Sequence, residues 1–249
     1  MKIEFSSCSY QGGREYNEDS VRCLDNNGVF AVAVTDGLGG HGGGQIASSI
    51  TAEYLTKAFI DDPRIEPDYI RHLFSEANTM IINKQNLTQK MKSTGVALFI
   101  KENTAIWGHA GDSRLYHFMD GRVTSQTLDH SVSQMAVFSG EITVDEIRHH
   151  EDRNKVYRAF GGDEHIKAEI SSPLPLNSVS HAFLLCSDGF WEYVLEEEME
   201  QDLAGCSDPH DWLQAMVARI SRLDLKDNDN YTAATVFITS EQVVSDEHT

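Results

Sequence analysis

The order of the predicted helices and strands limits the possible folds of this chain more than any single motif does. Three apolar runs at the start predict strands, and the next two periodic segments both predict helices, with no strand between them. The following segments predict two hairpins, the second turning at Asp120-Gly121. Runs of strands with clustered helices, in place of strict alternation, predict an α+β fold with mainly antiparallel sheets.

The predicted elements are distributed along the whole chain, with no internal repeat or linker. We therefore expect one domain over residues 1–249. The strands are predicted near 2–10, 20–25, 29–35, 95–100, 104–111, 113–127 (a hairpin), 181–189 and 231–239, and the helical stretches near 43–60, 66–90, 131–159 and 209–223.

Composition excludes several classes of partner. The chain has 20 basic and 39 acidic residues, a net charge of −19, which argues against nucleic acid or an anionic membrane as its main partner. No apolar stretch approaches the roughly 20 residues needed to span a bilayer, and the start lacks the apolar core of a secretion signal. The four cysteines form no C-x-x-C pair. These features predict reduced thiols and a cytoplasmic location.

The glycine-rich stretch "TDGLGGHGGG" (35–44) contains a literal G-x-G-x-x-G at Gly37, Gly39 and Gly42. That pattern would indicate a dinucleotide site if the next helix returned to a parallel strand. Here the helix leads to another helix, the acid precedes the first glycine, and no G-K-[ST] follows. The nucleotide interpretation therefore fails.

Aspartates stand at the ends of the apolar runs. Asp36, Asp112 and Asp188 each follow such a run, and Asp229 precedes the last one. A single aspartate in this position is usually a turn former. Four of them would converge if the antiparallel strands ended at one edge, and they would raise one another's pKa unless cations held them. Oxygen donors without clustered His or Cys suit Mg²⁺ or Mn²⁺.

Two neighbouring segments extend this hypothesis. The carbonyl of Gly37 could ligate a metal because no side chain blocks it, and the glycines after it permit left-handed turns. In "GGREYNEDS", Arg14 could bind a phosphate bidentately, and Glu18 and Asp19 could extend the metal site. The alternatives are a metal-free glycine turn and a solvated charged loop.

Eight segments in order carry a resemblance to a known family. The chain resembles the metal-dependent protein phosphatase (PPM) family of the protein phosphatase 2C type, and most of all its compact bacterial members, from about residue 6 to 238. The resemblance implies a four-layer αββα sandwich of two mainly antiparallel sheets flanked by helix pairs. The segments are "GGREYNEDS", "VTDGLGGHGGGQIAS", "STGVAL", "GHAGDSRLY", "LDHSVSQMAVFSGEI", "RNKVYRAFGG", "LLCSDGFWEYV" and "DNDNYTAATV".

The resemblance also implies a role for each matching residue. Asp36 would bridge two metal ions, with the Gly37 carbonyl on one ion and Asp188 and Asp229 completing the other. The further implied roles are Glu18 and Asp19 at the second ion, directly or through water, Asp112 with Asp188 at a third ion, Arg14 on the substrate phosphate, and 131–160 as a flap beside the site.

The activity implied is that of a serine/threonine protein phosphatase using two or three Mn²⁺ or Mg²⁺ ions. A water bridging the metals would attack phosphoserine or phosphothreonine and so reverse the action of a Ser/Thr kinase. The implied partners are phosphorylated proteins and a cognate kinase, with the chain as a monomer. The alternative is a pseudophosphatase or regulatory binding module on the same fold, although every expected ligand position is filled.

The general acid is left open by the sequence. Many eukaryotic family members have a histidine directly after the Asp-Gly pair, where this chain has Leu38. His41 is the remaining candidate acid in the loop, although loop histidines are more often structural.

Overall fold

A computed structural model describes residues 1–39, 42–86, 88–176 and 180–239, and His41 lies outside these ranges. The strands are β1 (Lys2–Tyr10), β2 (Ser20–Asn26), β3 (Val29–Thr35), β4 (Gly37–Leu38), β5 (Lys92–Ser93), β6 (Gly95–Lys101), β7 (Thr104–Ala110), β8 (Arg114–Met119), β9 (Arg122–Gln126), β10 (Glu169–Ile170), β11 (Leu174–Pro175), β12 (His181–Cys186) and β13 (Tyr231–Thr239). The helices are α1 (Gly43–Asp61), α2 (Pro67–Lys84), α3 (Val132–Ser139), α4 (Asp188–Trp191), α5 (Glu196–Ala204) and α6 (Pro209–Arg222), with a 3-10 turn at Asp145–His149.

Two large sheets organise the described residues. The first has the strand order β1-β13-β12-β8-β9, and the second has the order β10-β7-β6-β3-β2, with β11 also pairing with β7. The short strands β4 and β5 pair separately. Every ladder between neighbouring strands is antiparallel. The prediction of mainly antiparallel sheets is therefore confirmed.

Strand β3 shows how the sequence separates the two faces of a sheet. Phe30, Val32 and Val34 belong to the apolar cluster between the sheets, and Ala31 and Ala33 belong to the cluster under α1 and α2. Successive side chains in a strand point to opposite faces, so a run that is apolar throughout is buried on both. The small alanines face the helices, where α1 contacts β3 closely.

Three apolar clusters hold the layers together. One joins α1 and α2 to the second sheet, one fills the space between the sheets, and one joins the first sheet to α5 and α6. The order helices–sheet–sheet–helices confirms the four-layer αββα sandwich. Large buried members are Leu55, Phe59, Phe74 and Phe99 in the first cluster, Val32, Leu98, Phe183 and Val236 in the second, and Phe118, Leu184, Trp212 and Met216 in the third.

Helix α2 ends at Lys84, so the prediction of helix as far as residue 90 is wrong. The Gln85 side chain donates to the carbonyls of Met91 and Gly161, at 2.8 Å each. The Asn86 Oδ1 accepts from the backbone N–H groups of Thr88 and Gln89, at 2.9 Å each. Such local side-chain bonds compete with helical hydrogen bonding and end the helix.

The stretch 131–159 is mostly not helical, contrary to the prediction. Helix α3 ends at Ser139, and the next residue, Gly140, has a φ of 78°, a left-handed conformation that closes the helix. After the 3-10 turn the chain forms turns and an isolated bridge between Ser131 and Val156. Helix α5 was not predicted, because Met199 is its single buried residue and leaves little apolar periodicity.

The structure also bears on membrane insertion. Among the described residues, none of the helices is sufficiently long and apolar to cross a bilayer.

Helix α6 offers a test of the capping interaction. The Asp208 side chain accepts a hydrogen bond from the Asp211 N–H at 2.9 Å, which satisfies a donor that the first helical turn leaves free. Asp208→Ala should lower the free energy of unfolding by about 1 kcal/mol in urea titrations. Glu76→Ala, a change at an exposed position in the middle of α2, should change it by less than about 0.5 kcal/mol. Equal effects of the two substitutions would contradict the capping role.

Candidate active site

The four aspartates predicted at strand ends lie at one edge of the sandwich. Strands β3 and β7 both pair antiparallel with β6, so they run in the same direction and end together, just before Asp36 and Asp112. In the other sheet β12 and β13 are antiparallel neighbours. The end of β12 therefore places Asp188 beside Asp229, which precedes β13.

A cavity of about 400 Å³ opens between these strand ends. Most of the residues predicted to form the site line it, including Arg14, Glu18 and the Gly37 backbone. The loop residues Glu15, Tyr16 and Asn154 were not among the predicted site residues. The full lining is Arg14, Glu15, Tyr16, Glu18, Asp36, Gly37, Leu38, Gly39, Gly42, Asp112, Asn154, Asp188, Asp229 and Asn230.

Asp19 differs from the other predicted site residues because it lies behind the cavity. Its side chain is buried, and its Oδ2 accepts from the Ser187 hydroxyl at 2.7 Å. The same hydroxyl accepts from the Thr232 N–H at 3.0 Å. Asp19 therefore connects the N-terminal loop to the end of β12 and the start of β13.

Burial and mutual repulsion raise the pKa values of the clustered carboxyl groups. Burial is the largest cause for Asp36, whose pKa is well above its ordinary range, and the charges of Asp19 and Asp188 add to it. Burial, then the charge of Asp112, does the same to the pKa of Asp188. Burial, then the charge of Asp129, raises the pKa of Asp112 to about 7. Burial also raises the pKa of Asp19 to about 6. At neutral pH the site therefore needs a cation or retained protons.

The donor set fits hard divalent cations. Within the described residues, Glu18 Oε1, Asp19 Oδ1 and Asp112 Oδ1 are buried and have no hydrogen-bond partner. A buried carboxylate oxygen without a partner is costly, and a metal ion would supply the missing positive charge. Carboxylate and carbonyl oxygens are the ligands that Mg²⁺ and Mn²⁺ prefer.

The glycines after Asp36 allow close approach of two backbones. A Cβ at Gly37 would lie 2.3 Å from the Gly44 carbonyl carbon, and one at Gly44 would lie 2.8 Å from Glu18 Oε1. The Asp36 carbonyl accepts from the Thr94 N–H at 2.8 Å, which fixes the chain where it enters the loop. Glycine is therefore required here so that α1 can start directly against the carboxylates.

Arg14 forms an ion pair with one of the carboxylates. Its Nη2 lies 2.6 Å from Asp229 Oδ2, and both side chains are partly exposed, at 53% and 31%. The charge of Asp229 is the main reason that the pKa of Arg14 is raised. The guanidinium is thus at the cavity with part of its surface open to solvent.

Asn230 organises the N-terminal loop, a role that sequence reasoning missed. Its Nδ2 donates to the carbonyls of Gln11 (2.7 Å) and Tyr16 (3.0 Å), and its Oδ1 accepts from the Glu18 N–H (2.8 Å). One side chain therefore holds the loop that carries Arg14 and Glu18. The only signal in the sequence was the position of Asn230 directly after Asp229.

Behind Asp112 lies a buried cationic network that was also not predicted. The Trp191 Nε1 donates to the Asp112 carbonyl at 2.9 Å. The Arg114 guanidinium carbon lies 3.6 Å from the centre of the Trp191 ring system, and Arg114 forms two 2.8 Å bonds with Asp129. This ion pair is almost completely buried. The network fixes the main chain at Asp112.

A second group of potential ligands, His109, His130 and Glu169, lies away from the carboxylates and does not suit a cation. The Gly111 N–H lies 3.1 Å from His130 Nδ1, and the Arg158 guanidinium, which can only donate, lies 2.9 Å from His130 Nε2. Burial is the main cause that lowers the pKa of His130 to about 3. Both ring nitrogens therefore face N–H donors, and the guanidinium places a positive charge where a metal ion would bind.

The fold and the carboxylate edge define the class that the resemblance implied, a metal-dependent phosphatase. The protein phosphatase 2C family model matches residues 9–221, and the chain belongs to this family.

Similar proteins support this assignment. The serine/threonine phosphatase stp of Listeria monocytogenes is 31% identical over 200 residues, which cover 76% of this chain and 78% of that protein. The crystal structure of Stp1 from Staphylococcus aureus has a TM-score of 0.83 at 25% identity and covers 96% of both chains. The PstP catalytic domain, solved with two manganese ions, has a TM-score of 0.79, and the match covers 96% of this chain and 99% of that domain. The two sequences are 24% identical, so this similarity shows the fold alone.

The raised carboxyl pKa values predict how pH affects the metal-free protein. A folded-state pKa above the unfolded value means that the folded chain holds protons that the unfolded chain releases. Stability from this source is therefore present at low pH and is lost as the pH rises from about 4 through about 7, the pKa of Asp112. In EDTA, the melting temperature should be lower at pH 8 than at pH 5.5, and Mn²⁺ should raise it most at pH 8.

A charge change elsewhere on the protein separates repulsion within the cavity from a general dependence of stability on pH. Asp36→Asn should reduce the pH dependence in EDTA, because it removes one of the repelling charges. Asp224→Asn, a change at an exposed position outside the cavity, should leave the dependence as in the wild type. The repulsion would be contradicted if the melting temperature of Asp36→Asn in EDTA depended on pH as strongly as that of the wild type.

Proposed function

We propose that the carboxylate cavity is the catalytic metal centre and that the enzyme hydrolyses phosphoserine and phosphothreonine in proteins. The observation that carries the proposal is the convergence of Glu18, Asp36, Asp112, Asp188 and Asp229 around one cavity beside the Arg14 guanidinium. The names of the relatives supply the serine/threonine preference. A binding module without catalysis would not need every ligand position filled.

The chain's own residues divide the work between holding cations and holding substrate. Asp36, the Gly37 carbonyl, Asp188, Asp229 and Glu18 would hold two Mn²⁺ or Mg²⁺ ions. Asp112 with Asp188 would hold a third, and Asp19 would support the site from behind. Bound ions of this kind lower the pKa of water and withdraw charge from phosphoryl oxygens.

Arg14 is the residue placed to orient the substrate. A guanidinium matches two phosphate oxygens in geometry and charge. Its ion pair with Asp229 holds it at the cavity, and its 53% exposed side chain leaves donors available to a ligand. Leu38 lines the cavity, and its aliphatic side chain cannot donate a proton to the leaving alkoxide.

The wider setting of the enzyme is also proposed. The chain would act in the cytoplasm as a monomeric single domain over 1–249, with residues 131–160 as a flap whose Asn154 reaches the cavity. A phosphatase of this specificity implies an opposing Ser/Thr kinase as functional partner. Phosphorylated proteins would be the substrates, as the names of the relatives indicate for those proteins.

Removal of a metal-holding carboxylate tests the catalytic centre. With Mn²⁺, the wild type should hydrolyse p-nitrophenyl phosphate and a phosphothreonine peptide, and EDTA should abolish both. Asp36→Asn and Asp188→Asn should each lower kcat by about 10³-fold, because a metal contributes several kcal/mol to charge stabilisation. Mn²⁺ binding should weaken in calorimetry. Asp224→Asn is the matched control, and full activity of Asp36→Asn would refute the proposal.

Arg14 can be tested separately from the metals. Arg14→Met should raise KM for both substrates by about 10-fold or more, since a charged hydrogen bond contributes about 1.5–3 kcal/mol. Calorimetric Mn²⁺ binding should remain. Arg14→Lys should recover part of the affinity, because it keeps the charge but loses the bidentate geometry. An unchanged KM in Arg14→Met would remove Arg14 from substrate binding.

A further inference from the structure

Two side chains at the mouth of the cavity have no role in the proposed chemistry. Glu15 and Tyr16 both line the cavity, and both are exposed. The Tyr16 side chain, at 65%, is the most exposed of the large hydrophobic residues in the described part of the chain. An aromatic ring left in water beside a substrate site offers a large contact area to a ligand.

The main chain that carries this ring is held rigidly. The Gln11 Nε2 donates to the carbonyls of Arg14 (2.6 Å) and Glu15 (3.1 Å), and Asn230 holds the carbonyl of Tyr16 (3.0 Å). Three consecutive carbonyls are thus fixed. A ligand that contacts Tyr16 needs to order only its side chain, so little conformational entropy is lost on binding.

The backbone spacing between Arg14 and Tyr16 is similar to the spacing of neighbouring residues in a substrate peptide. Two residues of chain span at most about 7 Å, so Tyr16 lies within that distance of Arg14 along the backbone. A substrate residue one or two positions from the phosphorylated residue covers the same distance. When Arg14 holds the phosphate, a flanking side chain of the substrate can therefore reach Tyr16.

The charge at this part of the rim is negative. The carboxylates of Glu18, Asp36, Asp112, Asp188 and Asp229 are assigned to the metal centre, and Asp229 also pairs with Arg14. Among the lining residues in the described ranges, Glu15 is then the one carboxylate without such an assignment. The face of a tyrosine ring also attracts cations. The Glu15 carboxylate and the Tyr16 ring therefore both favour a positively charged residue beside the phosphorylated residue over an acidic one.

We propose that Glu15 and Tyr16 form a recognition patch that selects phosphorylated peptides with Lys or Arg within two residues of the phosphorylated residue. The patch determines specificity and does not act on the reacting atoms. This inference rests on the proposed phosphatase function, and it assigns that function a substrate class.

The test compares peptides that differ only in the flanking residues. Acetylated pentapeptides with phosphothreonine between two Lys, two Glu or two Leu residues are hydrolysed by the Mn²⁺-loaded protein, and p-nitrophenyl phosphate serves as a substrate without flanks. The wild type should favour the Lys peptide over the Glu peptide by about three- to tenfold in kcat/KM. The difference should lie in KM, because the patch contacts no reacting atom.

The variants separate the ring from the carboxylate. Tyr16→Ala should reduce the Lys-to-Glu preference by about two- to fivefold, and Tyr16→Phe should keep it because the ring face remains. Glu15→Gln should reduce the preference by about two- to fivefold. Tyr54→Ala, a change at a partly buried tyrosine on α1 that lines a different cavity, should behave as the wild type. Melting temperatures check that each variant is folded.

Three results would overturn the inference: equal kcat/KM for the Lys and Glu peptides, an equal loss on peptides and p-nitrophenyl phosphate in Tyr16→Ala, or a Leu peptide favoured as strongly as the Lys peptide. The last result would identify an apolar patch. Absence of any Mn²⁺-dependent hydrolysis would instead refute the proposed function. In that case, calorimetric binding of the same peptides with a non-hydrolysable phosphonate in place of the phosphate still decides whether the patch prefers Lys.

Discussion

Repulsion between buried carboxylates is the constraint on which the arrangement of this site depends. Asp36, Asp112 and Asp188 follow three strand ends in two sheets, and burial together with the charges of neighbouring carboxylates raises their pKa values. A fold that did not need this cluster would separate the charges. The surrounding structure therefore has to hold the carboxylates in place against their own repulsion until cations bind.

The two sheets and the helix layers supply that restraint. Each aspartate is adjacent to a strand that is buried in an apolar cluster, so movement of a carboxylate would displace the core. Local bonds complete the restraint on the backbone. Trp191 holds the carbonyl of Asp112, Thr94 holds that of Asp36, and Asn230 holds the N-terminal loop. The buried carboxylate oxygens without a hydrogen-bond partner are therefore held in place by the main chain around them.

The antiparallel strands and the acidic edge could be predicted from the residues because both depend on short-range patterns, whereas the four layers were implied by the family resemblance. Apolar runs of the right length and the Asp120-Gly121 turn predict antiparallel hairpins, and an aspartate at the end of each run predicts which edge is acidic. The pattern could not show that Asp19 turns away to Ser187, or that Asn230 bonds to three loop groups, because these contacts join residues more than 160 positions apart. The region 131–159 was mispredicted for a related reason. Its charge and weak periodicity resemble a solvated helix, but its turns are set by contacts with the rest of the chain, such as those of Arg148 with Glu196 and of Arg153 with Glu192.

The place of β13 in the first sheet has a consequence for the order in which the molecule can assemble. This strand is the last of the described strands in the sequence, and yet it lies inside the sheet, between the edge strand β1 and the central strand β12. The second sheet includes β2, β3, β6 and β7, and it packs against α1 and α2. All of these elements are synthesised early. During synthesis the half of the sandwich that contains the second sheet can therefore form before β13 is available to pair with β1. The hydrogen bonds of Asn230 to the loop that carries Arg14 and Glu18 can form only after Asn230 is synthesised, so a nascent chain has no complete metal centre before the segment that leads into β13 is made.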